Sequence, residues 1–337
     1  MIKESIGVLV GGKDLSFEEA ASIMEEIMTG QASPAQIGAF LTALRVKGET
    51  IDEIAGLASV MREQATPLDI SHPAIDIVGT GGDGSGSFNF STAAAFVAAG
   101  AGLRVAKHGN RAATSPCGSA DILEALGVNI DPGPDVVAAC IEKVGIGFMF
   151  APAFHPAMKH VAPSRREIGI RTVFNILGPL TNPARVEHIV LGVPSEELGN
   201  KISAVLFRLG TSHSLVVYGL DGLDEISACS RSLVWEVSRD MLSPPYEVSP
   251  EDFGFRPASR SEIIGGTPGE NASSLRDIVN GRKSVLRNAV VMNAAMALIA
   301  GDVVTDLKQA VKKAEESIDS GRAGEKLEKL AAMSRKK

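Results

Sequence analysis

Side chains suited to chemistry gather at a few places along this 337-residue chain. The densest is DIVGTGGDGSGSFNFST, Asp76 to Thr92, where a short apolar run meets a glycine-rich loop and then a helix start. Inside it GTGGDG, Gly79 to Gly84, spells G-x-G-x-x-G. Glycines after a strand let backbone N–H groups approach a phosphate, and the following helix N-terminus adds its positive end. A tight strand-to-helix turn has the same spelling. The dinucleotide version of this loop also needs an acidic residue about 20 positions on, to hold ribose hydroxyls. Here the next strand runs into Lys107-His108-Gly109-Asn110-Arg111, so cations and an amide stand where that carboxylate belongs. NAD binding is disfavoured, and no Walker A sequence is present to suggest a P-loop.

Two adjacent strand-end loops remain. The first offers backbone donors and the hydroxyls of Ser85, Ser87, Ser91 and Thr92; the second offers Lys107, Arg111, Thr114, Ser115 and Ser119. Parallel neighbouring strands would aim both at the crevice beyond their C-terminal ends, where open α/β sheets bind ligands. Donors and cations converging there suit a multiply charged phosphate ester. Such a ligand usually brings Mg²⁺, which takes hard oxygen ligands. Asp221-Gly-Leu-Asp224-Glu225 supplies carboxylates just past the apolar run Leu215–Tyr218. Adjacent carboxylates on a strand point to opposite faces, so joint metal binding requires a loop there or two ions.

Arg165, Arg166 and Arg171 follow Pro163 on one predicted helix, residues 165–177, stopped by Gly178-Pro179. The first two fall at its N-terminus, where the dipole disfavours positive charge. That placement fits a guanidinium held to grip a carboxylate with two parallel hydrogen bonds, and a plain surface arginine fits equally. His155 and His160 in HPAMKH lack the glutamate of HExxH, so no zinc site is expected. His108 suits a loop-ordering hydrogen bond better than a proton carrier. No nucleophile elbow or Cys/His pattern occurs.

The elements that must carry these residues fall into two grammars. Up to about residue 65 the pattern is helical, with starts at the capping boxes Ser16–Glu19, Ser33–Gln36 and Thr50–Glu53. Three short amphipathic helices cannot bury their stripes alone and must pack on another segment or another subunit. Thr66–Pro73 reads as a linker. Beyond it strands at 75–78, 103–106, 146–150, 189–193 and 215–218 alternate with helices such as 92–99 and 120–126, and the C-terminus is helical. Alternation of this kind predicts α/β with a mostly parallel central sheet. Residues 238–270 carry no clear chemistry.

The composition, 45% hydrophobic with a formal charge of -7 and no block of Lys/Arg, supports a large core and disfavours a nucleic-acid surface. Three cysteines, Cys117, Cys140 and Cys229, share no metal or redox spacing and fit a reducing, cytoplasmic setting. No signal peptide or membrane span is expected.

Together GTGGD, FNFST, KHGNR, GSADILEALGV, RREIGIRTVFNILGPLTNP and DGLDEIS resemble the anthranilate phosphoribosyltransferases, in order and over nearly the whole chain. Ser87 stands where threonine is frequent in that family, and Tyr218 where histidine is common. The resemblance implies a small helical domain, 1–68, to which a segment near 165–185 returns, and an α/β domain, 73–337. It implies a homodimer formed through the first helices. Phosphoribosyl pyrophosphate (PRPP) would meet Gly79, Gly82, Asp83, Ser87, Asn89, Phe90, Ser91, Thr92, Lys107, His108, Gly109, Asn110, Arg111, Ser115 and Ser119. Mg²⁺, expected as two ions, would sit on Ser91, Asp224 and Glu225. Anthranilate would meet Gly79, Asn110 and Arg165, with Lys107 and Arg165 serving the reaction. The implied activity, in the second step of tryptophan synthesis from chorismate, is transfer of the phosphoribosyl group to the amine of anthranilate, with no dedicated nucleophile and no essential histidine. With no amidotransferase segment ahead of residue 1, a stand-alone form is expected. The alternatives are a pyrimidine nucleoside phosphorylase and a non-catalytic nucleic-acid-binding paralogue.

Overall fold

The computed structural model describes residues 1–112 and 115–336; Thr114, expected in the second loop, lies outside them. The chain opens with four helices, α1 (Ile2–Val10), α2 (Phe17–Met28), α3 (Pro34–Lys47) and α4 (Ile51–Glu63). The last three start where the sequence says. Ser16, Ser33 and Thr50 each accept the N–H three residues on, and Glu19, Gln36 and Glu53 return the bond. The additional helix, α1, has no side-chain cap to announce it.

A seven-stranded sheet forms the larger body, in the order β3-β2-β1-β4-β5-β6-β7. Its members are β1 (Ile75–Gly79), β2 (Val105–Gly109), β3 (Ile146–Phe150), β4 (His188–Gly192), β5 (His213–Gly219), β6 (Ser232–Ser238) and β7 (Tyr246–Val248). The first five are parallel, and β6 and β7, absent from the sequence reading, add antiparallel at one edge. Period-2 alternation sends Ile189, Leu191, Val216 and Trp235 to one face and Val190, Leu215, Val217 and Val234 to the other.

Between the strands run α5 (Phe90–Gly100), α6 (Ser119–Ala125), α7 (Pro134–Val144), α8 (Ala151–Phe154), α9 (Ala162–Ile168), α10 (Phe174–Leu180) and α11 (Glu196–Arg208). The chain closes with α12 (Pro268–Val279), α13 (Val285–Ala300), α14 (Leu307–Asp319) and α15 (Arg322–Met333). Helices α5 and α13, alanine-rich and buried almost all round, pack with α14 and α15 on one face. On the other face the stripes of α2–α4 merge with Val161, Val173, Leu177 and Val205 in a single core. Another segment of the same chain therefore covers those stripes.

Two expectations change here. The presumed linker is stitched down, since Thr66 N–H donates to Phe154 O and Leu68 N–H to Pro183 O. The predicted helix 165–177 is in fact two helices. Gly169, at φ 68°, takes the left-handed conformation that favours glycine and ends α9; α10 then runs through Gly178-Pro179 to Leu180.

Candidate active site

Strand order reverses between β1 and β4, and the crevice at such a switch point is where open α/β sheets bind ligands. Gly79 and Gly192 sit opposite each other in register at the C-terminal ends of these strands. A Cβ on Gly79 would strike Asp224 Oδ2, and one on Gly192 would strike the Asp224 carbonyl. The paired glycines thus make a notch that admits the β5–β6 loop. There Asp224 Oδ2 accepts Gly81 N–H at 2.7 Å, and Glu225 Oε1 accepts Ser91 N–H at 3.1 Å beside the N-terminus of α5. Both carboxylates reach one opening because they lie on a loop and not on a strand.

Burial, then the adjoining carboxylates, push Asp224 up to about 6 and Glu225 up to about 8. Asp83, whose buried Oδ2 has no hydrogen-bond partner, contributes to that repulsion. Lys107 Nζ donates to Ser91 Oγ at 3.4 Å. Crowded hard oxygens with an orphan among them fit Mg²⁺. Among the described residues no three His, Cys, Asp or Glu side chains form a complete cage, so substrate oxygens would have to finish the shell.

Lys107 and His108 are neighbours on β2, so their side chains leave on opposite faces. Lys107 is buried on the α5 side, its Nζ donating to Ile77 O at 2.5 Å. Desolvation lowers its pKa, while Asp76 and Glu225 oppose that shift. His108 faces α10, its Nδ1 3.2 Å from Gly178 O and its ring 5.1 Å from that of His155. Burial pushes His108 down to about 3 and His155 to about 4, so both rings are neutral at pH 7. With Nδ1–H donated to the carbonyl, Nε2 of His108 is a buried acceptor without a partner.

That face opens into a cavity of about 540 Å³ lined by Gly79, His108, Asn110, His155, Arg165 and Phe174 among others. Arg165 lies with its guanidinium carbon 5.3 Å from the centroid of Phe174. It belongs to the last turn of α9, where the dipole favours a cation; the expected N-terminal placement is corrected by the break at Gly169. The three residues expected to meet anthranilate, Gly79, Asn110 and Arg165, therefore share one wall system. Phe174 was missed because its sequence neighbourhood reads only as core, and His155 was weighed only as a zinc ligand, so its place in this cavity was missed too.

Other expected residues scatter in role. Phe90 is buried edge-on against Phe88, and Asn89 spends its amide on Cys117 O and Asn271, tying the two loops together. Thr92 is buried with an unpartnered hydroxyl oxygen. Ser87 pairs with Ile264, and Phe88 N–H donates to Ile263 O, so the segment without apparent chemistry braces the glycine loop. Gly82, at φ 84°, lies under Arg171. Arg111 bridges Asp121 and Glu124 and lies over Phe150. Ser119 Oγ donates to Asn110 O, against Gly109, and Ser115 Oγ to Cys117 O.

A helical bundle feeding a doubly covered parallel sheet, with a phosphate-type loop and carboxylates at its switch point, defines a glycosyltransferase class. Accordingly residues 3–65 match the helical bundle domain of the glycosyl transferase family, and residues 71–324 match its a/b domain. An anthranilate phosphoribosyltransferase of Dehalococcoides mccartyi is 56% identical over 99% of this chain and 98% of its own length. Another from Chloroflexus aggregans is also 56% identical, with the same coverage. The crystal structure of the Thermus thermophilus enzyme superposes with a TM-score of 0.93 at 45% identity, covering 98% of this chain and 99% of that one. The Saccharomyces cerevisiae enzyme in complex with PRPP and Mg gives 0.90 at 31% identity, covering 99% and 97%. The chain belongs to the anthranilate phosphoribosyltransferase family.

Proposed function

We propose that the chain transfers the phosphoribosyl group of PRPP to the amine of anthranilate, giving N-(5-phosphoribosyl)anthranilate and pyrophosphate. The observation that carries this reading is the division of β2: Lys107 serves a carboxylate-lined phosphate crevice, and His108 one residue on serves a separate cavity holding Arg165. Donor and acceptor substrates would meet across that strand end.

Breaking the C1–O bond builds positive charge on the ribose and negative charge on the departing pyrophosphate. Backbone N–H groups of the glycine loop and Lys107 stabilise the latter, an electrostatic role. Mg²⁺, held by Ser91, Asp224 and Glu225, supplies further neutralisation of pyrophosphate charge. Two ions are favoured because Asp224 and Glu225 rest on different backbone donors, Gly81 and Ser91. Arg165 grips the carboxylate of anthranilate, Asn110 lies alongside, and His108 Nε2 accepts an N–H of the amine, aiming its lone pair at C1. An aryl amine is already neutral at pH 7, and His108 is too weak a base to store a proton, so the ring positions rather than activates; the proton that the nitrogen sheds as the C1–N bond forms passes to the departing pyrophosphate or to water.

We assign residues 1–68 to the helical unit, with about 165–185 returning to it, and 73–337 to the α/β unit. Val10 and Val46, exposed on α1 and α3, favour a homodimer through these helices. Among the described residues no helix is long and apolar enough to cross a membrane, and three unpaired cysteines favour the cytoplasm. Incubation with both substrates and Mg²⁺ should yield the phosphoribosylated product and equimolar pyrophosphate by mass spectrometry. Release of thymine from thymidine and phosphate would instead support a nucleoside phosphorylase.

A further inference from the structure

Arg171, the last residue of the RREIGIR motif, has no role in the reading above. It lies at the surface, in the stretch that the Gly169 break frees between α9 and α10. Its guanidinium pairs with no carboxylate among the described residues. Instead Nη2 donates to Gly81 O at 3.0 Å and lies 3.4 Å from Thr80 O. Space for it exists only because residue 82 is glycine, where a Cβ would collide with Nη1. The Thr80–Gly81 peptide is therefore pinned from two sides, its N–H by Asp224 and its carbonyl by a cation reaching across from the acceptor-side segment, and the same cation holds the carbonyl of the next peptide, Gly81–Gly82.

A peptide plane held at both its N–H and C=O ends keeps the following N–H groups in a fixed direction. The glycine loop has left-handed backbone at Gly81, Gly82, Gly84 and Gly86; its later part is fixed by Ser85 N–H on Asp83 and Ser87 N–H on Ser85 Oγ, which leaves the Thr80–Gly82 turn to be held by Asp224 and Arg171. We propose that Arg171 is a positioning residue for the PRPP-binding loop, holding the Thr80 and Gly81 carbonyls so that the loop's N–H groups present themselves to the pyrophosphate. The inference rests on the transfer reaction assigned to this site.

The test compares wild type with Arg171→Ala, Arg171→Lys, Gly82→Ala and the Arg171→Ala/Gly82→Ala double variant in steady-state kinetics with Mg²⁺. Because Arg171 is exposed, its variants should keep the wild-type melting temperature. Arg171→Ala should raise KM for PRPP about tenfold or more and lower kcat, leaving KM for anthranilate within about twofold, as expected for loss of a charge-assisted bond. Arg171→Lys, which keeps the donor charge, should recover part of the loss. In the double variant the two effects should fall well short of multiplying, since both disturb one contact. Wild-type PRPP kinetics in Arg171→Ala, or an equal rise in KM for anthranilate, would overturn the inference. Absence of transfer by the wild-type protein would instead defeat the reaction assigned to the site.

Discussion

On the proposed reading, single side chains decide which substrate each half of the site serves. Arg165→Ala should raise KM for anthranilate about tenfold or more with a much smaller effect on PRPP, the loss expected for a charged hydrogen-bond pair; equal effects in steady-state kinetics would remove its assigned role. Replacing Asp224 with Asn and Glu225 with Gln should cut Mg²⁺-dependent turnover roughly a hundredfold or more, and an unchanged Mg²⁺ titration would reject the site. His155 makes a pH prediction. Its pKa is depressed to about 4 in the folded protein, so the unfolded chain binds more protons as pH falls below about 6.5. The stability it permits is complete above that pH and is lost on acidification. His155→Asn should therefore show a shallower fall in melting temperature between pH 7 and pH 5, and parallel curves would contradict it. Buried Asp76, Asp224 and Glu225, raised in pKa, pull the other way in both proteins and cancel in the difference.

At the scale of elements, legibility followed how local the cause was. Capping boxes at Ser16, Ser33 and Thr50 lie within four residues and put three helix starts correctly. The glycine loop was legible as a strand-end turn because its requirement, close backbone approach, is written in residue type. The break in 165–177 was hidden: Gly169 looks like an ordinary helix-tolerated glycine until its φ of 68° is seen. That error reversed the dipole argument for Arg165. Strands β6 and β7 were missed because an antiparallel edge has no βαβ rhythm to predict it. The notch under Asp224 was likewise out of reach, since Gly79 and Gly192 become partners only through β-sheet register. Gly192→Ala would push a methyl group into the Asp224 carbonyl. It should cost about 1–3 kcal/mol of stability and weaken Mg²⁺ dependence, although residue 192 is assigned no substrate contact. A wild-type melting temperature by calorimetry would show that the β5–β6 loop does not lean on that notch.

Over the whole molecule two cores meet at the central sheet, one with α5 and α13, the other with α2–α4 and α10. Pattern alone left open whether another segment or another subunit covers the first helices; in the structure their own chain does. The arrangement places a cavity of about 540 Å³ on the helical side of β2 and a carboxylate-lined crevice on the other, joined at the strand ends. Transfer between two substrates is the chemistry such a division serves. Anthranilate fluorescence tests it most directly, followed on mixing the protein with anthranilate and PRPP. The account predicts a decay that needs PRPP, protein and Mg²⁺ together and that stops on chelation. Fluorescence that stays constant with all components present, or decays equally without Mg²⁺, would contradict it.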